Sequence, residues 1–160
     1  MMAMDDTPPK PRKRLKQPLD IGWAECVDLP DLGLHRIKAK IDTGAATSSI
    51  HATRLKPIQT PEGLFVEFWF RAHKGEAARK YRAPAVEQRP IKSSNGAVEL
   101  RYVIETTMML GSLLWTGHMT LANRGKMTFP ILIGRRALKR GFKVDCARKW
   151  VLGRPEETDR

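Results

Sequence analysis

Cysteine is nearly missing: Cys26 and Cys146 are the only two in 160 residues. They form no Cys-x-x-Cys pair, and two thiols do not make a disulfide-rich scaffold. Free thiols in a reducing, cytoplasmic compartment are expected. No run approaches the roughly 18 consecutive apolar residues that a membrane helix requires. No apolar stretch follows the N-terminal charges, so neither a membrane span nor a secretory leader is expected. Metal and nucleotide signatures are missing too. There is no His-Glu-x-x-His and no Gly-rich loop ending in Gly-Lys-Ser/Thr. His35, His51, His73 and His118 show no local ligand spacing, so no metal and no cofactor are expected. No Gly-x-Ser-x-Gly elbow surrounds Ser48 or Ser49, which argues against a serine nucleophile. Negative charge is the last shortage: 17 Asp and Glu face 29 Lys and Arg, a net charge of +12. That excess draws polyanions such as nucleic acid, ribosomes or an acidic protein, without choosing among them.

What is present suffices for one globular domain. Hydrophobic residues make up 41% of the chain, enough for a core at this length. Residues 1–18 stand apart. Pro8, Pro9, Pro11 and Pro18 deny the backbone helical donors, while Lys10, Arg12, Lys13, Arg14 and Lys16 repel one another. A disordered basic arm is expected there, either a solubilising tail or a nucleic-acid or ribosome contact. Residues 155–160 are expected to fray.

Residues 19–154 carry mostly β signals. Leu34 to Asp42 alternates, with Ile37, Ala39 and Ile41 on one face and Arg36, Lys38 and Lys40 on the other. Ile21 to Leu29, Leu64 to Phe70, Val98 to Thr106, Leu113 to Leu121, Met127 to Ile133, Phe142 to Val144 and Trp150 to Leu152 read as further strands. Asn123-Arg124-Gly125 reads as a turn and Arg135 to Arg140 as a short helix. Arg71 to Asn95 is polar and basic and leads into the hairpin signal Asn95-Gly96. A lid and a plain surface excursion both fit it. Its cations fit a solvated face or a surface that steers an acidic chain. Short strands with regular turns predict an all-β fold, a closed barrel or sandwich with one short C-terminal helix.

Two motifs carry chemistry. Ile41-Asp42-Thr43-Gly44-Ala45 places a carboxylate at the end of the alternating strand. A hydroxyl follows, then a glycine for a tight turn and a small residue that lets a backbone or substrate approach. An aspartate that merely caps a turn has the same appearance. Thr47, Ser48 and Ser49 just beyond fit either a turn or hydrogen-bonding groups near the site. The second motif is Phe129-Pro130-Ile131-Leu132-Ile133-Gly134-Arg135-Arg136-Ala137-Leu138, an apolar strand running into Gly-Arg and a short helix. In this order the two resemble retroviral-type aspartic proteases, whose Asp-Thr-Gly-Ala ends an early strand. From roughly Gly22 to Val144 the chain is similar to a bacterial family of retropepsin-like aspartic proteases, also filed under the older name ATP-dependent zinc protease. Thr47-Ser48-Ser49-Ile50-His51-Ala52, Ser93-Ser94-Asn95-Gly96 and Thr120-Leu121-Ala122-Asn123-Arg124 extend the likeness. Members are associated with ATP-grasp glutamate ligases that modify a ribosomal protein.

The resemblance implies a closed retropepsin-like barrel and an aspartic peptidase with Asp42 as its catalytic residue. Such chemistry needs two carboxylates sharing one proton. A chain with one Asp-Thr-Gly would take the second Asp42 from another copy across a two-fold axis. Thr43 would brace the paired loops, Gly44 would line the substrate channel, and Ala45 would support the site. Gly134 and Arg135 would be structural beside it. The implied partners are a second copy, an acidic or polyglutamylated protein or peptide, and a ribosome or glutamate-ligase association. Three features depart from the viral pattern, the first being the 92-residue separation of Asp42 from Gly134, longer than in compact viral enzymes, which implies insertions. Ala46 stands where those enzymes carry an acidic residue that pairs with the Gly-Arg arginine, so Arg135 needs another partner or solvent. A glycine-rich flap is not visible. An alternative stays open: the same barrel as a non-catalytic basic binding module for a ribosome or ligase partner.

Overall fold

Period-two alternation of apolar residues builds nearly every element of this chain. The computed structural model describes residues 17–92, 95–123 and 128–155. The strands are β1 (Leu19–Gly22), β2 (Ala24–Leu29), β3 (Leu34–Ile41), β4 (Ser48–His51), β5 (Thr53–Thr60), β6 (Gly63–Phe70), β7 (Arg79–Lys92), β8 (Val98–Leu110), β9 (Leu113–Ala122), β10 (Ile131–Ile133) and, after helix α1 (Arg135–Leu138), β11 (Phe142–Asp145). A 3-10 turn over Pro30–Leu32 links β2 to β3.

Six strands close into a barrel in the order β2-β3-β10-β4-β9-β8, and Asp28 of β2 pairs with Met109 of β8 to shut the ring. The expected all-β closed barrel with one short helix is therefore the fold observed. β7, β6 and β5 continue outward from β8 as an antiparallel extension. β1 and β11 form a separate parallel pair. Inward side chains such as Val27, Ile37, Ile50, Ile104, Met108, Leu121, Ile131 and Ile133 merge with Phe68 and Phe70 of the extension in one core. Each such side chain, fully buried, is worth about 2 kcal/mol. On β3 a bulge slips the register between Val27↔Ile37 and Leu29↔Leu34. Arg36 sits there in the left-handed region (φ 56°), with its N–H on Asp28 Oδ1 at 2.7 Å.

Several elements differ from the sequence reading. The strand expected over Ile21 to Leu29 is two strands, because the chain leaves β11 at Gly22 and joins β3 at Ala24. Trp150 to Leu152 is a turn rather than a closing strand. Its Val151 and Leu152 N–H groups each donate at 3.1 Å to the carboxylate of the fully buried Glu25, which also accepts from Gly22 N–H at 2.6 Å. Their hydrogen bonds thus go to a side chain, not a ladder. The helix stops at Leu138, short of Arg140, and the strand expected from Met127 begins only at Ile131. Of the basic arm only Gln17 and Pro18 are described, and of the C-terminal tail only Pro155, which is buried. The rest of both lies outside the described residues, as do Arg124 and Gly125 of the expected turn.

Candidate active site

β10 is wedged between β3 and β4, parallel to the first and antiparallel to the second. Residues 42–47, which join β3 to β4, must therefore cross the C-terminal end of β10. Asp42 begins that crossing. Its N–H donates to Ile133 O at 2.9 Å, and its Oδ1 accepts from Gly44 N–H at 2.9 Å. Ala45 N–H returns to Asp42 O at 3.3 Å and closes the turn. Asp42 is half-buried, and Thr43 and Gly44 are exposed beside it.

Gly134, at the end of β10, explains the Gly-Arg motif. A Cβ there would lie 2.7 Å from Thr47 C, 2.8 Å from Thr47 O and 2.9 Å from Ala45 O, all backbone atoms. Only glycine lets the loop lie this close. Gly134 N–H donates to the buried Ser48 Oγ at 3.1 Å. The next two N–H groups, of Arg135 and Arg136, donate to Ala45 O at 2.8 Å and Ala46 O at 3.1 Å. The Arg135 side chain answers the Ala46 departure: its Nη1 donates to Thr43 O at 3.0 Å. A backbone carbonyl of the Asp42 loop thus takes the place of the missing acid. Asp42, Thr43, Gly44, Ala45, Gly134 and Arg135 are all brought together. Ser48 and Ser49 open β4 instead of forming a turn.

The polar middle of the chain is a hairpin, β7 with β8, turned at Asn95-Gly96, where Ala97 N–H caps Asn95 Oδ1 at 3.1 Å. It reaches the site loop. Arg89 Nη1 on β7 donates to Thr47 Oγ1 at 3.1 Å, and the same guanidinium pairs with Glu87. Val98 and Leu100 near the turn are each 65% exposed. No sequence signal links Arg89 to Thr47, because they are 42 positions apart on elements brought together only by the sheet. Behind the loop, burial lowers the pKa of His51 below its ordinary 6.5, opposed by a hydrogen bond with the Ala122 backbone. Among the described residues no cluster of three or more His, Cys, Asp or Glu side chains could hold a metal ion. Among them, too, no helix is long and apolar enough to cross a membrane.

A family model described as "RimB-like: Retropepsin-like aspartic endopeptidase RimB" matches residues 21–155. The chain belongs to this family. Its RimB-like barrel is also similar to the crystal structure of Lpg0085, a protein of unknown function from Legionella pneumophila. The TM-score is 0.68 at 27% identity, over 82% of this chain and 96% of that one. Among curated relatives, a "Probable alpha-L-glutamate ligase" of Shewanella halifaxensis is 36% identical over 143 residues, 87% of this chain and 31% of the relative. A protein of the same name from Parasynechococcus marenigrum is 38% identical over 135 residues, 83% of this chain and 29% of the relative. The chain thus spans about a third of the length of the curated relatives it matches. The RimB-like match takes in both the Asp42 loop and the Gly134-Arg135 corner that supports it.

Proposed function

We propose that this RimB-like chain is an aspartic peptidase in which Asp42 pairs with Asp42 of a second copy. One carboxylate takes a proton from a water as that water attacks the scissile carbonyl. The other, protonated, donates to the carbonyl oxygen. Collapse of the tetrahedral intermediate breaks the C–N bond and sends a proton to the leaving nitrogen. Two carboxylates about 3 Å apart cannot both ionise, so their pKa values split and belong to the pair. The observation that carries this reading is the Asp42 loop itself. Backbone hydrogen bonds from Gly134, Arg135 and Asp42 fix a half-buried carboxylate beside the exposed Thr43 and Gly44, a surface of small residues open to a second copy.

The substrate class is an acidic or polyglutamylated protein or peptide, cut at a peptide or glutamyl bond. The net charge of +12 supports it, as do glutamate-ligase relatives that are about three times as long as their match to this chain. Wild type and Asp42→Asn, assayed on glutamate-rich peptides, test the assignment. Loss of cleavage by about 100-fold or more is expected for removing an acid–base group; equal cleavage would overturn it.

A second reading draws on β1 and β11. The two ends of the barrel domain pair with each other in one protomer, at Leu19↔Phe142 through Gly22↔Asp145. A barrel finished in this way needs no second copy, which favours a monomeric basic module docking on a ribosome or ligase partner. Light scattering with and without peptide separates the two: a dimer supports the peptidase, a strict monomer the module.

A further inference from the structure

The antiparallel extension turns one side of its sheet to the core and the other away from it. On β6, Val66, Phe68 and Phe70 are buried in the core, so Phe65, Glu67 and Trp69, which alternate with them, lie on the opposite side and are half-buried. Register puts Lys56 of β5 and Arg82 of β7 beside Glu67, and Lys80 of β7 beside Trp69. Arg54 joins them from the irregularity in β5 between Thr53↔Trp69 and Lys56↔Glu67. Its guanidinium lies over the Trp69 ring, 5.5 Å from the centroid, and that of Arg82 lies over the Phe65 ring at 4.7 Å. All four cations are exposed, and on this face they meet one acid, Glu67. Four residues apart on one strand, the two aromatic positions are separated by about 13 Å, too far for the rings to stack on each other. Exposed rings set among cations suit a single-stranded nucleic acid: each ring takes the face of one base, and the cations track the phosphates. An arginine over the ring adds a flat cationic surface for the same base. A chain of carboxylates would use the cations and leave both rings idle. Glu67, midway between the rings, repels a phosphate but accepts a hydrogen bond from a ribose hydroxyl, the group that distinguishes RNA from DNA.

We propose that this face of the β5–β6–β7 sheet binds single-stranded RNA, with Phe65 and Trp69 as stacking platforms for two bases and Arg54, Lys56, Lys80 and Arg82 along the phosphates. The binding depends on neither reading of the Asp42 loop. The full chain is titrated with fluorescein-labelled octauridylate and followed by anisotropy and by the indole NMR signal that Trp69→Phe removes. Saturable binding is expected, with that signal shifting. Trp69→Leu and Phe65→Leu each weaken it about tenfold, the scale of one lost base–ring stack. Trp69→Phe, which keeps a ring, retains most of the affinity. Lys56→Gln with Lys80→Gln, both at exposed positions, lowers the slope of log affinity against log salt by about 1.4, or about 0.7 for each phosphate contact. This pair serves if the ring variants do not fold. Lys40→Gln with Lys143→Gln, on β3 and β11, removes the same charge and leaves the slope unchanged. Three results would overturn the site: no saturable binding, folded ring variants that bind as wild type does, or an equal loss of slope in the Lys40 and Lys143 variant. Equal affinity for the deoxyuridylate octamer would overturn the choice of RNA. Equal competition by octaglutamate would assign the face to an acidic peptide and overturn the proposal as well.

Discussion

The Asp42 loop and the β7–β8 hairpin meet at Thr47 and are held there in opposite ways. The loop is fastened from beneath by successive backbone groups, because Gly134 lets β10 press against it. The hairpin reaches the same spot through one long side chain, Arg89, and carries Val98 and Leu100 into solvent. Buried backbone hydrogen bonds over-determine a position, whereas a side-chain contact in water is worth about 1 kcal/mol or less. Asp42 therefore sits on the stiff half of this candidate site, and the hairpin half beside it is loosely tethered.

Substitutions can break or sharpen that contrast. Gly134→Ala has the largest expected effect. Its Cβ would overlap the backbone of Ala45 and Thr47, so urea unfolding should give a loss of about 3 kcal/mol. Ser48→Ala comes next: it leaves the Gly134 N–H buried without its acceptor, a loss of about 1–2 kcal/mol by the same measurement. Arg89→Ala should change global stability by less than about 0.5 kcal/mol. It should instead raise amide exchange in the hairpin while the loop below keeps its protection. Equal exchange changes in both would erase the difference between the halves. The smallest effect is a slope. The lowered pKa of His51 means that the unfolded chain binds the proton more readily, so the stabilising contribution of neutral His51 is present above pH 6.5 and is lost as pH falls below it. His51→Gln should flatten the stability profile on the acid side of that point.

Much of the stiff half was legible in the sequence. The alternation of Leu34 to Asp42 marked β3, and Asp-Thr-Gly with a later Gly-Arg marked the corner where β3 and β10 end. What escaped notice depended on neighbours distant in sequence. Ser48-Ser49-Ile50-His51 shows no alternation because its two serines, on opposite faces of a strand flanked by β10 and β9, are both buried. β5 and most of β7 are exposed, so their polar residues read as irregular chain. Glu25 offered no signal that it would be fully buried, since its three backbone donors arrive from Gly22 and from residues more than 120 positions away. Arg135 found a carbonyl where an acid was missing, which no spacing rule foretells.

Whether Asp42 works only with its own copy is tested most directly by mixing. Wild-type chain at fixed concentration is titrated with Asp42→Asn chain while cleavage of a glutamate-rich peptide is followed. If each active unit needs one carboxylate from each copy, mixed pairs are dead and activity falls steadily as the variant is added. Activity that stays constant at any excess of the variant would contradict the pairing of Asp42 with itself.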